Sequence, residues 1–410
     1  MEENQIQIPE GWEGKELGTL YLEKRKSKFK VSDATNYGGI PFYTSGDAVL
    51  EHNEIQTDGE NIFLATGGIA NVKFYIGNVA YSTDTYVIVG KENISTQFLY
   101  FKLLDQLYYI NTNYFQGSGL KHLQKKDFKK HFFTLPKSTT EQTTIANILS
   151  KCDEAIANTQ ALIAKYSRIK TGLMQDLLTK GIDENGNIRS EQTHEFKDSP
   201  LGRIPVEWEV KKMGDLILAI DPQPDHRTPP AFIDGVPYVG ISDFISNGEI
   251  DIKNCRKVGF NVLEKQRNSF TIELGDLIFG KIGTIGKPKI LPDFNKRHFT
   301  LSANVILIKP IECPDFIYWT LVSDYISNQV SLAIHSTSQP AFGMEKIRDL
   351  NVLAPKPKER ERITEKLKKI EELFSAEHIQ LAKLQSLKTG LMQDLLSGRV
   401  RVSTLIKETE

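Results

Sequence analysis

Apolar residues recur at alternating steps of three and four along two long stretches of the chain. They stand at Ile145, Leu149, Cys152, Ile156, Ile163 and Tyr166 in the first stretch, and at Ile363, Leu367, Ile370, Phe374, Leu381 and Leu384 in the second. This spacing predicts two long helices, each with the apolar seam of a coiled coil. On one helix taken alone, such a stripe is equally typical of an ordinary buried core. Both seams skip one apolar position at the same register, where Thr159 and Glu377 stand, and a polar residue there fixes the register of pairing.

Each predicted helix ends in the same nine residues, Lys-Thr-Gly-Leu-Met-Gln-Asp-Leu-Leu, at 170–178 and again at 388–396. A shared register and a shared ending favour pairing of the two helices with each other. Packing accounts for the leucines and the methionine, but it does not require Thr171, Gln175 and Asp176 to recur. We therefore expect a second molecule to contact this surface, although a recent duplication with little divergence explains the same repeat.

A glycine stands inside each repeated segment, at Gly172 and at Gly390. Glycine within a helix costs about 1 kcal/mol relative to alanine. Such a residue is tolerated where another backbone approaches closely, so both positions support the expectation of a bound partner.

The part of the chain before the first long helix has the pattern of short strands. Residues 61–65, 72–76 and 85–89 are rich in apolar and β-branched side chains and are bounded by glycine or asparagine. Residues 98–105 predict a short helix. The first globular part is therefore expected to mix α and β structure.

The same landmarks return after the first long helix. Matching segments are residues 8–12 and 204–208, residues 39–43 and 235–239, both 196 positions apart, and residues 59–69 and 275–285, 216 positions apart. The second copy therefore carries an insertion of 20 residues, which falls within 244–274. The copies agree at glycines, prolines and apolar positions and differ nearly everywhere else, which indicates one scaffold with two different surfaces.

These patterns divide the chain into successive segments. They are a first globular domain (1–137), a first long helix (138–180), a polar linker (181–202), a second globular domain (203–357), a second long helix (358–398) and a C-terminal tail (399–410). Ser138-x-x-Glu141 predicts a capping box at the start of the first helix. The expected fold class is α+β, with two mixed α/β domains separated by two long helices.

Composition narrows the function classes. The chain has 410 residues and a formal net charge of -1, so no global basic character indicates nucleic acid, and any such signal must be local. Its three cysteines, Cys152, Cys255 and Cys313, are far apart and form no C-x-x-C pair, which is typical of reduced thiols in a cytosolic protein. We find no signal peptide and no run of eighteen apolar residues, so the expected location is cytoplasmic.

Cations cluster locally in both globular parts, next to loops of small polar residues. The candidate DNA-binding residues are Lys24, Arg25, Lys26, Lys28, Gly117, Ser118, Lys121, His122 and Lys125 in the first part, and Lys281, Lys287, Lys289, Arg297, Ser336, Thr337, Ser338 and Gln339 in the second. A charge run taken alone is more often a solvated face. Beside loops with hydroxyl and amide groups, lysines can hold phosphates while those groups contact base edges.

Catalytic motifs are not found. The segment 280–287 has several glycines and two lysines, but the spacing does not fit a phosphate loop, and Pro288 replaces the magnesium-binding hydroxyl residue. Residues 153–156 resemble a helicase box, yet they lie on the predicted helical seam. Residues 221–224 do not form the loop that an adenine methyltransferase needs, and we find no metal-binding or nucleophile motif.

Taken together, these features resemble the specificity subunit of a type I restriction-modification system. The motifs that carry the resemblance are the Ile-Pro-x-x-Trp starts, the Leu-Pro-Lys and Ala-Pro-Lys entries into the helices, and the repeated Gly-Leu-Met-Gln-Asp-Leu-Leu end. The resemblance covers essentially the whole chain, apart from the insertion in the second copy. It implies two target recognition domains, an antiparallel coiled-coil spacer and a pseudo-twofold internal repeat.

The resemblance also implies function and partners. Each recognition domain would read one half of a bipartite, asymmetric site in double-stranded DNA, and the helices would set the gap between the halves. Two methyltransferase subunits would dock on the helices, and a restriction motor and nuclease subunit would join them. Partner contacts are expected at Leu173, Met174, Leu177, Leu391, Met392 and Leu395. The chain itself would bind no cofactor, and S-adenosylmethionine, ATP and magnesium would belong to the partners.

Two other functions remain open from the residues alone. One is a stand-alone nucleic-acid-modifying enzyme with unrecognised motifs. The other is a structural coiled-coil adaptor without a role on DNA, which would not need two globular parts of such different surface.

Overall fold

The computed structural model of the chain describes residues 8–225, 227–245, 248–293, 298–335 and 341–402. The chain groups into two compact units. The first contains the described residues up to 160 and from 379 onward, and the second contains those from 161 to 378. Each unit therefore holds one globular domain together with a part of each long helix.

The elements of the first domain agree with the patterns of the sequence. Its strands are β1 (Trp12–Glu16), β2 (Tyr21–Glu23), β3 (Ile40–Tyr43), β4 (Leu50–His52), β5 (Glu60–Ala65), β6 (Val72–Ile76), β7 (Ala80–Tyr81), β8 (Thr85–Gly90), β9 (Phe115–Gln116), β10 (His122–Leu123) and β11 (Phe132–Pro136). Its helices are α1 (Thr96–Asp105), α2 (Leu107–Tyr114) and α3 (Lys125–Lys129), followed by the long helix α4 (Thr139–Thr179). The three predicted strands are β5, β6 and β8, and the predicted short helix is α1.

The linker and the second domain follow. Their strands are β12 (Phe196–Lys197), β13 (Ile204–Pro205), β14 (Glu209–Lys212), β15 (Ile217–Ile220), β16 (Ala231–Val239), β17 (Lys257–Val258), β18 (Leu277–Gly280), β19 (Gly286–Ile290), β20 (Thr300–Leu301), β21 (Val305–Pro310) and β22 (Asn351–Ala354). Their helices are α5 (Phe260–Ser269), α6 (Pro314–Leu321), α7 (Asp324–His335) and α8 (Met344–Arg348), followed by the long helix α9 (Pro357–Leu395).

Both domains share one sheet topology, which confirms the internal repeat. A four-stranded sheet has the order β2-β8-β5-β6 in the first domain and β15-β21-β18-β19 in the second. A three-stranded sheet has the order β4-β3-β7 and then β17-β16-β20, and its β3–β7 and β16–β20 pairs are parallel. The strand that enters each domain pairs with the strand that leaves it, as β1 with β11 and as β14 with β22.

The inner strands β5 and β18 of the two four-stranded sheets are buried on both faces. Ile62 and Leu64 lie in the core beside α1, whereas Phe63 lies in a separate aromatic cluster on the other face. In β18 the helix-side positions are Leu277 and Phe279. Side chains alternate along a strand, so Ile62 and Leu64 must be the counterparts of Leu277 and Phe279. Equivalent residues of β5 and β18 are therefore 215 positions apart, and not 216 as the sequence predicted. The counterpart of Gly283 is consequently Gly68, with φ of +75° and +82° respectively, and not Gly67.

The long helices lie antiparallel within each unit. In the first unit the start of α4, with Ile145 and Leu149, shares a core with Leu395 and Leu396 at the end of α9. In the second unit the roles exchange, because the end of α4 shares a core with the start of α9. The predicted antiparallel pairing of the two helices is confirmed, and the seam residues at the helix starts are buried.

The insertion of the second domain contains the helix α5. Gln266 on this helix is buried, and its side chain bonds both backbone groups of Leu301 in β20, at 2.9 and 2.8 Å. A buried amide that satisfies a strand edge in this way fixes the insertion to the scaffold. The scaffold therefore tolerates the extra residues without a change in strand order.

Candidate nucleic-acid interface

The turn after β5 lies against the segment that follows α2 in the first domain. The N–H of Gly68 donates to the carbonyl of Lys121 at 2.8 Å, and Gly67 forms a β-bridge with His122. The two loops therefore form one surface. The candidate residues exposed on or next to this surface are Gly117, Ser118, Lys121 and His122.

The second basic stretch of the first domain lies against β2, whose last residue, Glu23, directly precedes the first basic stretch. The Nζ of Lys125 lies 3.9 Å from the centre of the Tyr86 ring. Burial lowers the pKa of Lys125, the Glu23 carboxylate opposes this shift, and the charges of Lys129 and Lys26 add to it. Lys129 pairs with Glu23 at 2.5 Å. Lysines from residues 24–30 and from residues 121–130 thus share one electrostatic environment, which the sequence alone does not show.

The first basic stretch itself is mostly solvent-exposed. Arg25, Lys26 and Lys28 are exposed, and Lys24 is half-buried. Lys28 lies 3.4 Å from the Glu54 carboxylate, a contact between exposed groups that contributes little to stability. These cations are therefore available to a polyanion at small cost.

Lys281 requires a correction. It was expected to contact DNA, but its side chain is buried and its Nζ lies 2.7 Å from the equally buried Asp221 carboxylate. The remote Asp221 lies just beyond β15, so the spacing of lysines along the sequence could not reveal this pair. Lys281 is a structural residue of the second domain.

The remaining candidates of the second domain divide into two groups. Lys287 is exposed on β19 with φ of +49°, and the Nζ of Lys289 lies 5.8 Å from the ring of Phe244. Arg297 and residues 336–339 lie outside the described residues. The chain that follows residues 336–339 does return to the β18–β19 turn, because Phe342 donates to the carbonyl of Lys281 at 2.9 Å. Both domains thus place the same kind of segment beside the same turn.

Each helix junction carries an ion pair to a buried glutamate, which the sequence did not predict. In the second unit Glu359 of α9 binds the guanidinium of Arg189 and accepts from Trp208 Nε1 at 3.2 Å. In the first unit Glu141 of α4 binds Arg401 through both carboxylate oxygens, at 2.6 and 2.8 Å. Glu141 and Glu359 are equivalent residues, 218 positions apart. The two arginines follow the repeated segments at different distances, so the sequence offers no spacing signal for these pairs.

Glu141 also corrects the predicted capping box. Its N–H does bond the Ser138 hydroxyl, at 3.3 Å, as the motif requires. Its carboxylate, however, binds Arg401 instead of bonding the backbone N–H of the cap. Only half of the capping box is therefore formed.

The segments that superficially resemble catalytic motifs have structural roles. Residues 280–287 span the β18–β19 hairpin, whereas a phosphate loop joins a strand to a helix. Asp153 of the helicase-like segment pairs with Lys388 at 2.5 Å. Among the described residues we find no group of His, Cys, Asp or Glu side chains arranged for a metal ion. No helix in the described part of the chain has the length and apolarity needed to cross a membrane.

Comparison with known proteins resolves the identity of the family. The type I restriction modification DNA specificity domain matches residues 9–166 and again residues 205–386. The chain belongs to this family. The MjaVIII type I restriction enzyme specificity subunit of Methanocaldococcus jannaschii is 24% identical over 98% of the chain and 95% of that protein. The EcoDI specificity subunit of Escherichia coli is 28% identical over 49% of the chain and 48% of that protein.

A solved structure shows the same fold. The S subunit of a type I restriction-modification system from M. genitalium superposes with a TM-score of 0.66 at 15% identity, over 96% of this chain and 98% of that one. The chain is thus a type I specificity subunit that recognises DNA sequence through two tandem recognition domains. Members of this family are subunits of type I restriction-modification complexes.

The helix surface of this specificity subunit differs in part from the expected partner site. Leu177 and Leu395 are buried in the chain's own cores, so neither is available for direct contact with a partner. This corrects two of the expected partner contacts. The other four, Leu173, Met174, Leu391 and Met392, are partly buried at the edges of those cores.

The repeated polar residues of the helices remain exposed. Thr171 and Gln175 are exposed, as are their counterparts Thr389 and Gln393. A Cβ added at Gly172 or at Gly390 would meet no atom of the chain within 4 Å. Internal packing therefore does not explain these two glycines.

Proposed function

We propose that the chain is the non-catalytic reading subunit of a type I complex, in which each domain reads one half of a bipartite, asymmetric DNA site. The observation that supports this most strongly is one sheet topology repeated with two different sets of exposed loops. A palindromic reader would need two equal surfaces. Here the turn beside Gly68 and the turn beside Gly283 carry different side chains on equivalent backbones.

The proposed DNA contacts follow the corrected surface. They comprise Lys24, Arg25, Lys26, Lys28, Gly117, Ser118, Lys121, His122 and Lys125 in the first domain, and Lys287 and Lys289 in the second. Lysines and arginines would hold phosphates, and loop hydroxyl and backbone groups would reach base edges. Arg297 and residues 336–339 lie outside the described residues, and they remain proposed DNA contacts on the basis of the sequence.

Two methyltransferase subunits are the proposed partners on the helices, and a restriction subunit would join that complex. Support comes from the exposed residues that recur in both helices, since two copies of one partner need two equal surfaces. The partners would supply S-adenosylmethionine, ATP and magnesium chemistry, while the chain supplies position. Action on intracellular DNA would place the complex in the cytoplasm.

Mapping of methylated adenines tests this function. Cells that express the chain with its methyltransferase partner should methylate one split, non-palindromic motif. Exchange of residues 116–122 for the corresponding loop of another specificity subunit should alter one half of that motif and leave the other half unchanged. A change in both halves, or none, would contradict independent reading by the two domains.

The purified chain provides the control for catalysis. Incubated alone with S-adenosylmethionine and DNA, it should transfer no methyl group, whereas the complex should. Methylation by the isolated chain would favour the stand-alone enzyme instead. A chain that neither binds DNA nor supports methylation in the complex would favour the structural adaptor.

The helices are the proposed spacer. Removal of one heptad from both helices should shorten the unread gap of the motif and preserve the two half-sites. An unchanged gap in the methylated motif would refute the spacer role.

A further inference from the structure

Two side chains stand out from the surface of the recognition domains. Tyr37 is 94% exposed and Ile233 is 88% exposed, the highest values among the large apolar residues that the structure describes. They occupy the same position of the internal repeat, 196 residues apart. Tyr37 stands three residues before Ile40, which pairs with β4, and Ile233 stands three residues before Val236, which pairs with β17.

The backbone around each of these residues is held in place. In the first domain the N–H of Thr35 donates to the carbonyl of Glu51 at 2.8 Å, and the N–H of Gly39 bonds the Glu51 carboxylate at 3.3 Å. Gly38 between them packs so closely on the carbonyl of His52 that an added Cβ would lie 2.1 Å from it. Tyr37 therefore projects from a fixed loop.

The second domain holds Ile233 in a similar irregularity; in the first domain Thr35 and Pro41 both pair with Glu51. Ala231 and Val236 both pair with Val258, so the four residues between them leave the plane of the sheet. Gly235 packs on the carbonyl of Val258, where an added Cβ would lie 2.0 Å away. Both domains therefore project an exposed apolar side chain from the same kind of strand irregularity, at the same position of the internal repeat.

The residues around Tyr37 and Ile233 indicate which kind of molecule these side chains contact. Residues 24–30 lead into the Tyr37 loop with five cations. The ring centres of Phe29 and His52 lie 4.1 Å apart in a tilted contact, and the Nζ of Lys28 lies 4.9 Å from the centre of the Phe29 ring. Arg256 and Lys257 lie in or next to β17, beside the bulge of Ile233, which itself carries the acidic Asp234. An apolar group among cations suits a nucleic acid, which offers phosphates outside and stacked bases inside.

A protein partner fits the Tyr37 position less well, whereas Ile233 has one exposed apolar neighbour, Phe232. A stable protein interface buries about 800 Å² on each side, and Tyr37 is flanked only by an asparagine and glycines. Insertion between base pairs needs a single flat or branched side chain. Isoleucine is among the residues that act as such wedges, and an aromatic ring stacks on bases.

We propose that Tyr37 and Ile233 are wedges, each of which inserts between adjacent base pairs of the half-site that its own domain reads. The proposal rests on the proposed function, since it assumes that both domains bind duplex DNA. Each wedge would unstack one base step, and it would contribute affinity that does not depend on salt, because no counterion is released by an apolar contact.

The test uses the complex of the full chain with its methyltransferase partner, without S-adenosylmethionine. The probe is a duplex of the methylated motif with 2-aminopurine placed at successive positions, whose fluorescence rises when the base is unstacked. Tyr37→Ala should abolish the rise in one half-site only, and Ile233→Ala in the other half-site only. Affinity should fall roughly five- to 150-fold, with an unchanged dependence of log K on log salt.

Matched controls are available on the same domains. Tyr108 is 85% exposed in the first domain and Leu274 is 84% exposed in the second, so Tyr108→Ala and Leu274→Ala should leave fluorescence and affinity unchanged. Tyr37→Phe should retain the signal, because the ring remains. Urea unfolding of each variant checks that the fold is intact.

Other outcomes overturn the inference. Retained fluorescence and affinity in Tyr37→Ala and Ile233→Ala would refute the wedges while leaving the proposed function in place. Loss of methyltransferase co-elution in the absence of DNA would identify the two residues as protein contacts instead. Failure of the unaltered complex to methylate or bind any motif would overturn the proposed function, and the wedges with it.

Discussion

Lys388 forms an ion pair with Asp153 at 2.5 Å in the first unit. Its counterpart 218 residues earlier, Lys170, pairs with Glu371 in the second unit, and Glu371 is itself the counterpart of Asp153. The lysine that opens each repeated nonapeptide therefore binds an acidic residue of the other long helix. Part of the repeat is thus explained by pairing inside the chain, and the exposed remainder is left for a partner.

A double-mutant cycle on this pair should show coupling. The side chains are 19% and 39% exposed, so solvent screens the interaction and Lys388→Glu is expected to cost only about 1 kcal/mol in the free energy of unfolding. Asp153→Lys combined with it should restore most of the loss. Urea unfolding of the four proteins measures the coupling, and equal additive losses would show that the pair does not contribute.

The two ion pairs at the helix junctions should differ in strength, because only the Glu359–Arg189 pair is buried on both sides. Arg189→Met leaves Glu359 charged among buried groups, and we expect a loss of about 3–5 kcal/mol. Arg401→Met should cost less, about 1–2 kcal/mol, because the Arg401 side chain is 31% exposed and water can replace it. Unfolding in urea ranks the two variants. Equal losses, or a larger loss for Arg401→Met, would contradict the burial argument.

Periodicity predicted the elements of this fold because it is a local property. The heptad seam identified the helices at Ile145, Leu149, Ile363 and Leu367, and all four side chains are buried. Alternation and glycine boundaries identified β5, β6 and β8 to within a residue at each end. The repeat of landmarks identified two copies of one topology.

Contacts between remote residues were not predictable in this way. Lys281 looked like part of a basic cluster until its partner Asp221, sixty residues earlier, was known. Leu177 looked like a partner contact because the seam does not reveal that Trp208 and Phe316 share its core. The Glu359–Arg189 pair joins residues 170 positions apart and left no spacing signal of its own. In each case the sequence shows the charge or apolarity of a side chain but not whether that side chain is buried.

Lys102 should give the stability of the chain a pH dependence above neutrality. It is buried in the first unit, where its Nζ donates to the carbonyl of Leu396 at 3.0 Å, and burial lowers its pKa to about 8 while Asp105 opposes the shift. Below pH 8 the lysine is charged in both states, and its burial reduces stability. Between about pH 8 and 10.5 the unfolded state binds more protons, so stability rises with pH by up to about 1.4 kcal/mol per unit.

Comparison with Lys102→Met isolates this group, because all other titrations are common to both proteins. Stability of the unaltered chain relative to Lys102→Met should increase by about 1–3 kcal/mol from pH 7.5 to pH 10. Urea unfolding at a series of pH values measures the difference. Parallel curves for the two proteins would show that the pKa of Lys102 is not lowered.

The glycines of the repeated helix segments should separate stability from partner binding. Gly172→Ala and Gly390→Ala fill open space on helices, so each is expected to stabilise the isolated chain by about 1 kcal/mol. If a methyltransferase backbone approaches these positions, the added methyl groups should weaken its binding about tenfold. Thermal unfolding and co-elution on size exclusion provide the two readouts. Ser386→Ala, on an exposed position of α9, serves as the control and should leave co-elution unchanged.

Lysines that contact phosphate should be distinguishable from lysines that hold the fold. Lys121 is exposed beside the turn at Gly68, so Lys121→Ala should weaken DNA binding by the complex and reduce the magnitude of the slope of log K against log salt by about 0.9. Lys281→Ala should instead destabilise the second domain by about 1.5–3 kcal/mol, because it removes a charged hydrogen bond from the buried Asp221 carboxylate.

Measurement of both quantities on both variants makes this comparison strict. Titration of DNA between 50 and 200 mM salt gives the slope, and urea unfolding gives the stability. Lys383→Ala, an exposed lysine on α9, controls for loss of a positive charge away from the recognition loops. A reduced slope in Lys281→Ala with unchanged stability would identify Lys281 as a DNA contact. Its removal would then change the number of neutralised phosphates, as for an exposed lysine, without a cost to the fold.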